Sequence, residues 1–78
     1  MPTIDREGSY RFFFNSKEES RMHVHVESSD GAAKFWLEPI ITVAVCYQYS
    51  SKELRRIETI VEAHHDEFVA AWRRYLGG

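Results

Sequence analysis

The stretch Arg-Met-His-Val-His-Val-Glu-Ser-Ser-Asp-Gly-Ala-Ala-Lys-Phe-Trp-Leu-Glu-Pro, residues 21–39, decides the fold. Apolar and polar residues alternate over residues 22–27, which is the pattern of a strand with one buried face. Residues 32–37 return with strand-forming composition. The Ser-Ser-Asp-Gly segment between the two runs supplies a turn, because glycine adopts the positive φ that tight hairpins require. This stretch therefore predicts a β-hairpin.

The alternation divides the side chains of the hairpin between two faces. Residues two apart on a strand point the same way. The apolar face contains Met22, Val24 and Val26 on the first strand and Phe35 and Leu37 on the second. The opposite face contains His23, His25, Glu27, Lys34, Trp36 and Glu38.

Further strands are predicted on both sides of the hairpin. Residues 9–14 contain three consecutive phenylalanines, so Phe12 and Phe14 must share one face while Phe13 takes the other. Residues 40–47 are β-branched and almost wholly apolar, which predicts a buried strand that follows an interruption at Pro39. We expect a short, weakly pairing arm at residues 1–8 and a solvated connection at residues 17–21.

Residues 50–76 carry a helical signal. Ser50 and Glu53 have the spacing of a capping box. Polar residues at 62–67 interrupt the apolar stripe, so the segment is either one long helix or two helices broken near His64, ended by the two C-terminal glycines. The stripe itself recurs at the helical period and consists of Leu54, Ile57, Val61, Phe68, Trp72 and Tyr75.

Together these elements predict an α+β fold in a single domain spanning residues 1–78. Its antiparallel sheet of three to four strands packs on a C-terminal helix or broken helix pair in two layers. One helical layer covers one face of a sheet only. We therefore expect the face that bears His23, His25 and Glu27 to be open to solvent.

Composition narrows the function classes. A net charge of −2 and a pI near 6.0 differ from the strongly basic character of dedicated nucleic-acid-binding domains, so nucleic acid is only weakly indicated as a partner. No apolar run approaches the roughly 20 residues of a membrane span, and the N-terminus lacks an apolar signal core. The single cysteine, Cys46, excludes an internal disulfide and is expected to be a small buried hydrophobe. We expect a soluble cytoplasmic protein, with no cofactor indicated.

His23, His25 and Glu27 form the most distinctive group of ionisable residues. Imidazole and carboxylate groups that project from one strand face are ligands suited to zinc or iron. The same spacing is also common on an ordinary polar sheet face, which is the interpretation the sequence favours. No metal is therefore predicted, and a site built from His23, His25 and Glu27 remains the weaker alternative.

The two histidines are also the candidate catalytic residues. A histidine with a pKa near 6.5 exchanges protons at neutral pH. If Arg11, Arg21 or Lys34 stabilised a phosphate nearby, His23 and His25 could support metal-independent RNA cleavage. Residue types alone motivate this hypothesis, so enzymatic activity stays open.

Other polar groups suggest binding or ordinary surface. Lys34, Trp36 and Glu38 are candidate partner-binding residues, because exposed aromatic side chains on open sheets mark interfaces; the alternative is that Trp36 packs over cross-strand neighbours. The adjacent pair His64 and His65 diverges by about 100° on a helix, which indicates polar surface or a hinge. The arginine pairs at 55–56 and 73–74 form either a basic stripe for an acidic partner or, with glutamates interleaved, ordinary helix surface.

Four motifs in this order resemble the bacterial domain-of-unknown-function family 4160. They are His-Val-His-Val at 23–26, Ala-Lys-Phe-Trp-Leu-Glu-Pro at 33–39, the helix with Ser50, Glu53-Leu54, Ile57 and Ile60-Val61, and the terminal Trp72 with Tyr75. Many members carry Pro-Pro before the His-Val-His run, whereas Arg21-Met22 stands here. The histidine pair is intact, but a rigid Pro-Pro lead into the strand is absent.

The resemblance implies a small cytoplasmic bacterial protein, often encoded beside another short protein and forming one half of a toxin–antitoxin type pair. It implies no particular reaction. The expected function is thus partner binding within such a module, with a small protein encoded nearby, or a second copy of this chain, as partner. The alternatives are a non-enzymatic adaptor that pairs through its sheet edge or open face, and a histidine-based metal-binding protein.

Overall fold

The computed structural model of the protein describes residues 3–14 and 21–76 and shows an α+β fold, a sheet followed by two helices. The strands are β1 (Thr3–Glu7), β2 (Tyr10–Phe13), β3 (His23–Ser28), β4 (Gly31–Trp36) and β5 (Thr42–Tyr47). They form one antiparallel sheet in the order β1-β2-β3-β4-β5, so each strand pairs with its neighbour in sequence. The helices α1 (Ser51–Ala63) and α2 (His65–Leu76) follow.

Two differences from the predicted sheet concern its outer strands. Residues 3–7 form a full edge strand, β1, in place of a weakly pairing arm, so the sheet has five strands. The segment at 40–47 contributes β5, but this is the opposite edge strand and is not buried. The expected connection at 17–20 and the glycines at 77–78 lie outside the described residues.

The hairpin of β3 and β4 follows the predicted alternation. Val24 and Val26 are buried on the face that meets the helices, and Phe35 pairs opposite Val24 on the same face. Ser28 pairs with Gly31, which leaves a two-residue turn at Ser29 and Asp30. Gly31 does not have positive φ; instead, a side chain there would overlap the carbonyl oxygen of Tyr47. Close backbone approach, and not turn geometry, therefore accounts for this glycine.

The core lies between one face of the sheet and the two helices. Phe12 and Phe14 share this face, as predicted, and pack against Phe68 and Trp72 of α2 with ring centroids 5.3 and 5.4 Å apart. Ile57 and Val61 of α1 are completely buried in the same cluster. Of the predicted stripe, Tyr75 is the exception, because half of its surface is exposed.

The helical segment is two helices that meet at His64. Ser50 caps α1 by accepting a hydrogen bond from the backbone N–H of Glu53 at 3.1 Å. The Glu53 carboxylate accepts a hydrogen bond from the Tyr10 hydroxyl at 2.8 Å and so ties α1 to the sheet. No helix among the described residues is both long and apolar enough to cross a membrane.

Candidate functional site

His23, His25 and Glu27 project from β3 on the far face, by which we mean the side of the sheet turned away from the two helices. Their exposure differs strongly. His23 is completely buried, His25 is half-buried and Glu27 is exposed. The expectation that all three face solvent is therefore wrong for His23.

Aromatic rings enclose His23. The ring of Trp72, from the last turns of α2, lies 4.9 Å from it, and the ring of its cross-strand partner Trp36 lies 5.8 Å away. Its Nδ1 lies 2.6 Å from the backbone carbonyl oxygen of Arg21, which can only accept, so Nδ1 carries the hydrogen. These contacts fix the orientation of the ring from inside the protein.

His25 and Glu27 belong to a ladder of cross-strand contacts on the far face. The His25 ring stacks on Phe13 at 5.3 Å, and the His23 ring lies 5.2 Å from His25 in an edge-on arrangement. The Glu27 carboxylate accepts a 2.7 Å hydrogen bond from Arg11, whose guanidinium also lies 4.5 Å from the centre of the Phe13 ring. Glu27 is thus engaged by Arg11, and proton exchange at this site would depend on His25.

A second group of metal-ligand residue types lies elsewhere. Within residues 3–14 and 21–76, the side chains whose ligand atoms all lie within 4.8 Å of one another are those of Asp5, Glu7 and His64. Register explains the group, because Asp5 pairs with Phe12 and Glu7 with Tyr10 on the helix-facing side of the edge strand, beside the helix junction. The His-X-His-X-Glu pattern of β3 did not indicate this group, because Asp5 and Glu7 lie on β1 and His64 lies in the helical layer.

The geometry around His64 suits a protonated imidazole. Nδ1 lies 2.9 Å from Glu67 and 3.6 Å from Asp5, while Nε2 lies 3.6 Å from Glu7. The hydrogen bond to Glu67 raises the pKa of His64, and the charges of Asp5 and Glu7 raise it further against the effect of burial. Carboxylates at both nitrogens match the two N–H donors of an imidazolium, whereas a metal would bind only one nitrogen.

His65 faces a different set of groups. Burial acts to lower its pKa, but hydrogen bonds with Asp66 and the backbone carbonyl of Leu37 and the charge of Glu38 outweigh burial and raise it. Its Nε2 lies 3.1 Å from the Leu37 carbonyl oxygen and 3.5 Å from the Glu38 carboxylate. The two histidines therefore serve separate contacts, as their divergence on a helix predicts.

The predicted partner-binding residues separate into two places. Lys34 and Trp36 lie together on the far face, where the Lys34 ammonium and the Arg21 guanidinium are 4.7 and 4.2 Å from the Trp36 ring centre. Glu38 lies beyond the end of β4 and contacts His65 of α2. Lys34 and Trp36 thus form one cation–aromatic patch, which does not include Glu38.

The sequence interpretation missed an exposed apolar edge on β5. Val43, Val45 and Tyr47 are 40, 38 and 63% exposed, and Ile40 before them is 69% exposed. Cys46 is also exposed, which corrects the expectation of a buried thiol. The apolar composition of this strand predicted burial, but only β4 pairs with it among the described residues.

A shallow depression of about 240 Å³ joins this edge to the patch on the far face. It is lined by side chains from three adjacent strands: His25 on β3, Lys34 on β4, and Val45 and Tyr47 on β5. Mixed apolar and cationic lining beside an open strand edge is suited to binding a protein segment.

Comparison with known proteins identifies a family for this chain. The family model described as Domain of unknown function (DUF4160) matches residues 9–73. No curated protein matches this chain. No solved structure matches it either.

Proposed function

The chain belongs to the family described as Domain of unknown function (DUF4160), and from that premise we propose that it acts by binding a protein partner in the cytoplasm, as one member of a toxin–antitoxin type pair. The resemblance of its motifs to the family supports this setting. The partner is a small protein encoded nearby. Its binding surface is the edge of β5 together with the adjoining patch of Lys34 and Trp36.

The observation that carries the proposal is the exposed edge of β5. An edge strand presents a row of unpaired N–H and C=O groups, and soluble proteins blunt such edges with lysine, proline or a covering element. Thr42–Tyr47 contains neither lysine nor proline, and no described strand pairs with its outer side. Val43, Val45 and Tyr47 add exposed apolar surface along it. A partner strand added here would satisfy the backbone groups and bury these side chains.

Charge placed on the edge tests the proposal. We expect Val45→Lys and Tyr47→Lys together to weaken capture of the neighbouring gene product by tenfold or more, about 1.4 kcal/mol, because a partner strand would have to bury two ammonium groups. Both side chains are exposed, so the variant should fold. The measurement is pull-down from cells that express both genes, followed by titration calorimetry.

Ala70→Lys is the matched control, since this residue is exposed on α2, away from β5. It should bind like the unmodified protein. Equal binding by the β5 variant and the control would refute the edge as the binding surface. Growth arrest on expression of this gene alone, relieved by its neighbour, would support the toxin–antitoxin setting, and harmless expression with a stable complex would favour a non-enzymatic adaptor.

The same edge can pair with a second copy of this chain, which is the alternative partner. Thr42–Tyr47 carries no formal charge, so antiparallel pairing of two copies meets no like-charge repulsion within the strand. A dimer of the purified protein in light scattering that the β5 variant abolishes would favour this alternative.

A further inference from the structure

The first turns of α1, next to β5, carry a cluster of three cations. Lys52, Arg55 and Arg56 are exposed and spaced three and four residues apart, so they lie on neighbouring positions of one helix surface. Among the described residues, no carboxylate lies within 4.0 Å of their charged nitrogens. The nearby Glu53 is occupied by the Tyr10 hydroxyl.

A groove connects this cluster to the edge strand. Its apolar lining residues include Phe35, Val43 and Leu54. Arg55 lines both this groove and the depression that contains Lys52 and Arg56. Within the groove itself, the charges of Arg55 and Glu58 cancel. The adjoining depression adds Lys52 and Arg56, so the two regions together are positive, against a net charge of −2 for the chain. The groove lies on the helix side of β5, because Val43 pairs with Phe35 of the core.

On the far side of the same edge, β5 contributes two exposed apolar side chains, which lie beside Lys34 of β4. Val45 and Tyr47 project there, because they pair with Lys34 and Ala32 on the far face. A strand added to β5 directs alternate side chains to the two sides of the sheet. One set would meet the cations of α1, and the other set would meet Val45 and Tyr47.

We propose that β5 and α1 bind an acidic amphipathic strand of the partner, in which carboxylates alternate with apolar side chains. The carboxylates face Arg55 and Lys52 on the helix side, and the apolar side chains cover Val45 and Tyr47. This inference rests on the proposed function and specifies the partner's chemistry. Charge complementarity sets the choice of occupant. A nucleic-acid strand is disfavoured because its charged backbone would gain nothing from Val45 and Tyr47.

Backbone amide NMR with synthetic peptides tests the inference. The probes are an acetylated peptide of alternating glutamate and valine, its counterpart with lysine in place of glutamate, and an oligouridylate. We expect saturable shifts from the glutamate peptide, confined to Thr42–Tyr47 and the first turns of α1. The lysine peptide and the oligouridylate should produce no such shifts.

Charge reversal supplies the second arm. The double variant Lys52→Glu and Arg55→Glu should bind the glutamate peptide about tenfold or more weakly and should gain affinity for the lysine peptide. It should remain folded, because both positions are exposed and acidic residues near the start of a helix are favourable. The matched control is Arg73→Glu with Arg74→Glu, two exposed cations of α2, which should bind like the unmodified protein.

Three results would overturn the inference: no saturable shift with the glutamate peptide, equal binding of both peptides, or displacement of the glutamate peptide by the oligouridylate. A failure of the proposed function can be distinguished from a failure of this inference. If the neighbouring gene product binds the unmodified protein and the Lys52→Glu, Arg55→Glu variant equally, the acidic strand is refuted while partner binding stands. If the neighbour does not bind at all, that proposed partner is refuted, and the peptide titration still decides the chemistry of the edge.

Discussion

Gly31 shows how one residue controls the approach of two strands. The space for its side chain is occupied by the backbone of Tyr47 on β5, and the ring of Tyr49 lies close by. The Tyr49 hydroxyl donates a 2.9 Å hydrogen bond to the Gly31 carbonyl oxygen and lies 2.8 Å from the Ser28 hydroxyl. Burial raises the pKa of Tyr49, so this hydroxyl keeps its proton at neutral pH. The close approach of the Tyr47 backbone and the hydrogen bonds of the Tyr49 side chain therefore both fix the end of the hairpin.

Gly31→Ala should destabilise the protein by about 1–3 kcal/mol, because the added methyl group forces β4 and β5 apart. Urea unfolding measures the change. Gly8→Ala is the informative comparison, since Gly8 has positive φ and open space around it, and should cost about 1 kcal/mol through backbone strain alone. A smaller loss of unfolding free energy for Gly31→Ala than for Gly8→Ala would contradict the close approach of the Tyr47 backbone to Gly31.

His23 and His25 require different variants, because one is buried and the other is not. His23→Ala should cost about 2–4 kcal/mol, since it removes a fully buried ring between two tryptophans. His25→Ala leaves the core intact and is the variant suited to testing RNA cleavage. If that hypothesis holds, His25→Ala should abolish growth arrest while its melting temperature stays within a few degrees of the unmodified protein.

Arrest that persists in His25→Ala cells would refute a catalytic role for this residue. RNA from the same cells should then show no cleavage that depends on His25. The catalytic role of the histidines and the metal alternative with Glu27 stay predictions.

At the scale of elements, the junction of α1 and α2 is joined to the edge strand β1 through His64. Its backbone N–H lies 3.1 Å from the Ile60 carbonyl oxygen, and its own carbonyl accepts the N–H of Phe68 at 2.8 Å, so the break costs few hydrogen bonds. Its side chain meets Asp5 and Glu7 on β1 and Glu67 on α2. The titratable side chain of His64, which directly follows α1, therefore links that helix to β1 and α2.

This contact predicts a pH dependence of stability. The folded pKa of His64 is raised above its ordinary 6.5, so its stabilising contribution is complete below that value and is lost as pH rises through the folded pKa. Between about pH 6 and about pH 8, the free energy of unfolding should fall more for the unmodified protein than for His64→Gln, by about 0.5 kcal/mol. Urea unfolding at several pH values measures the difference.

His65 titrates with the same sign, but it is present in both proteins and cancels in the comparison. High salt should shrink the difference, because these partly exposed charges are screened. Parallel pH profiles for His64→Gln and the unmodified protein would contradict the ion-pair role of His64.

At the scale of the molecule, the helices pack against one face of the sheet and reach the other face at His23. α1 and α2 cover the face of Phe12, Val24 and Phe35, and Trp72 extends this cover to His23. The edge of β5 is left with exposed apolar side chains and with cations of α1 beside it. The layer arrangement therefore leaves exposed the sheet edge that we propose as the binding surface, whereas His23 is covered.

Most of the fold follows from periodicity along the chain. The hairpin, the division of Phe12, Phe13 and Phe14 between faces and the cap at Ser50 were all predictable, because each depends on backbone geometry within a few residues. The break near His64 was one of two alternatives that the sequence left open. The candidate surface was predictable only in part. Lys34 and Trp36 were assigned correctly to one face, but the composition of β5 indicated burial.

What the amino-acid order determined, then, is which side chains share a face and where the elements begin and end, since those properties are local. Tertiary packing decided the rest. It brought Trp72 against His23, placed Asp5 and Glu7 beside His64, and left β5 at an edge beside Arg55. Burial and proximity depend on which distant elements become neighbours, and no pattern within one segment encodes that. The hairpin at residues 21–39 thus set the two faces of the sheet, and the order of the strands and the positions of the helices decided which side chains became buried and left β5 as an exposed edge.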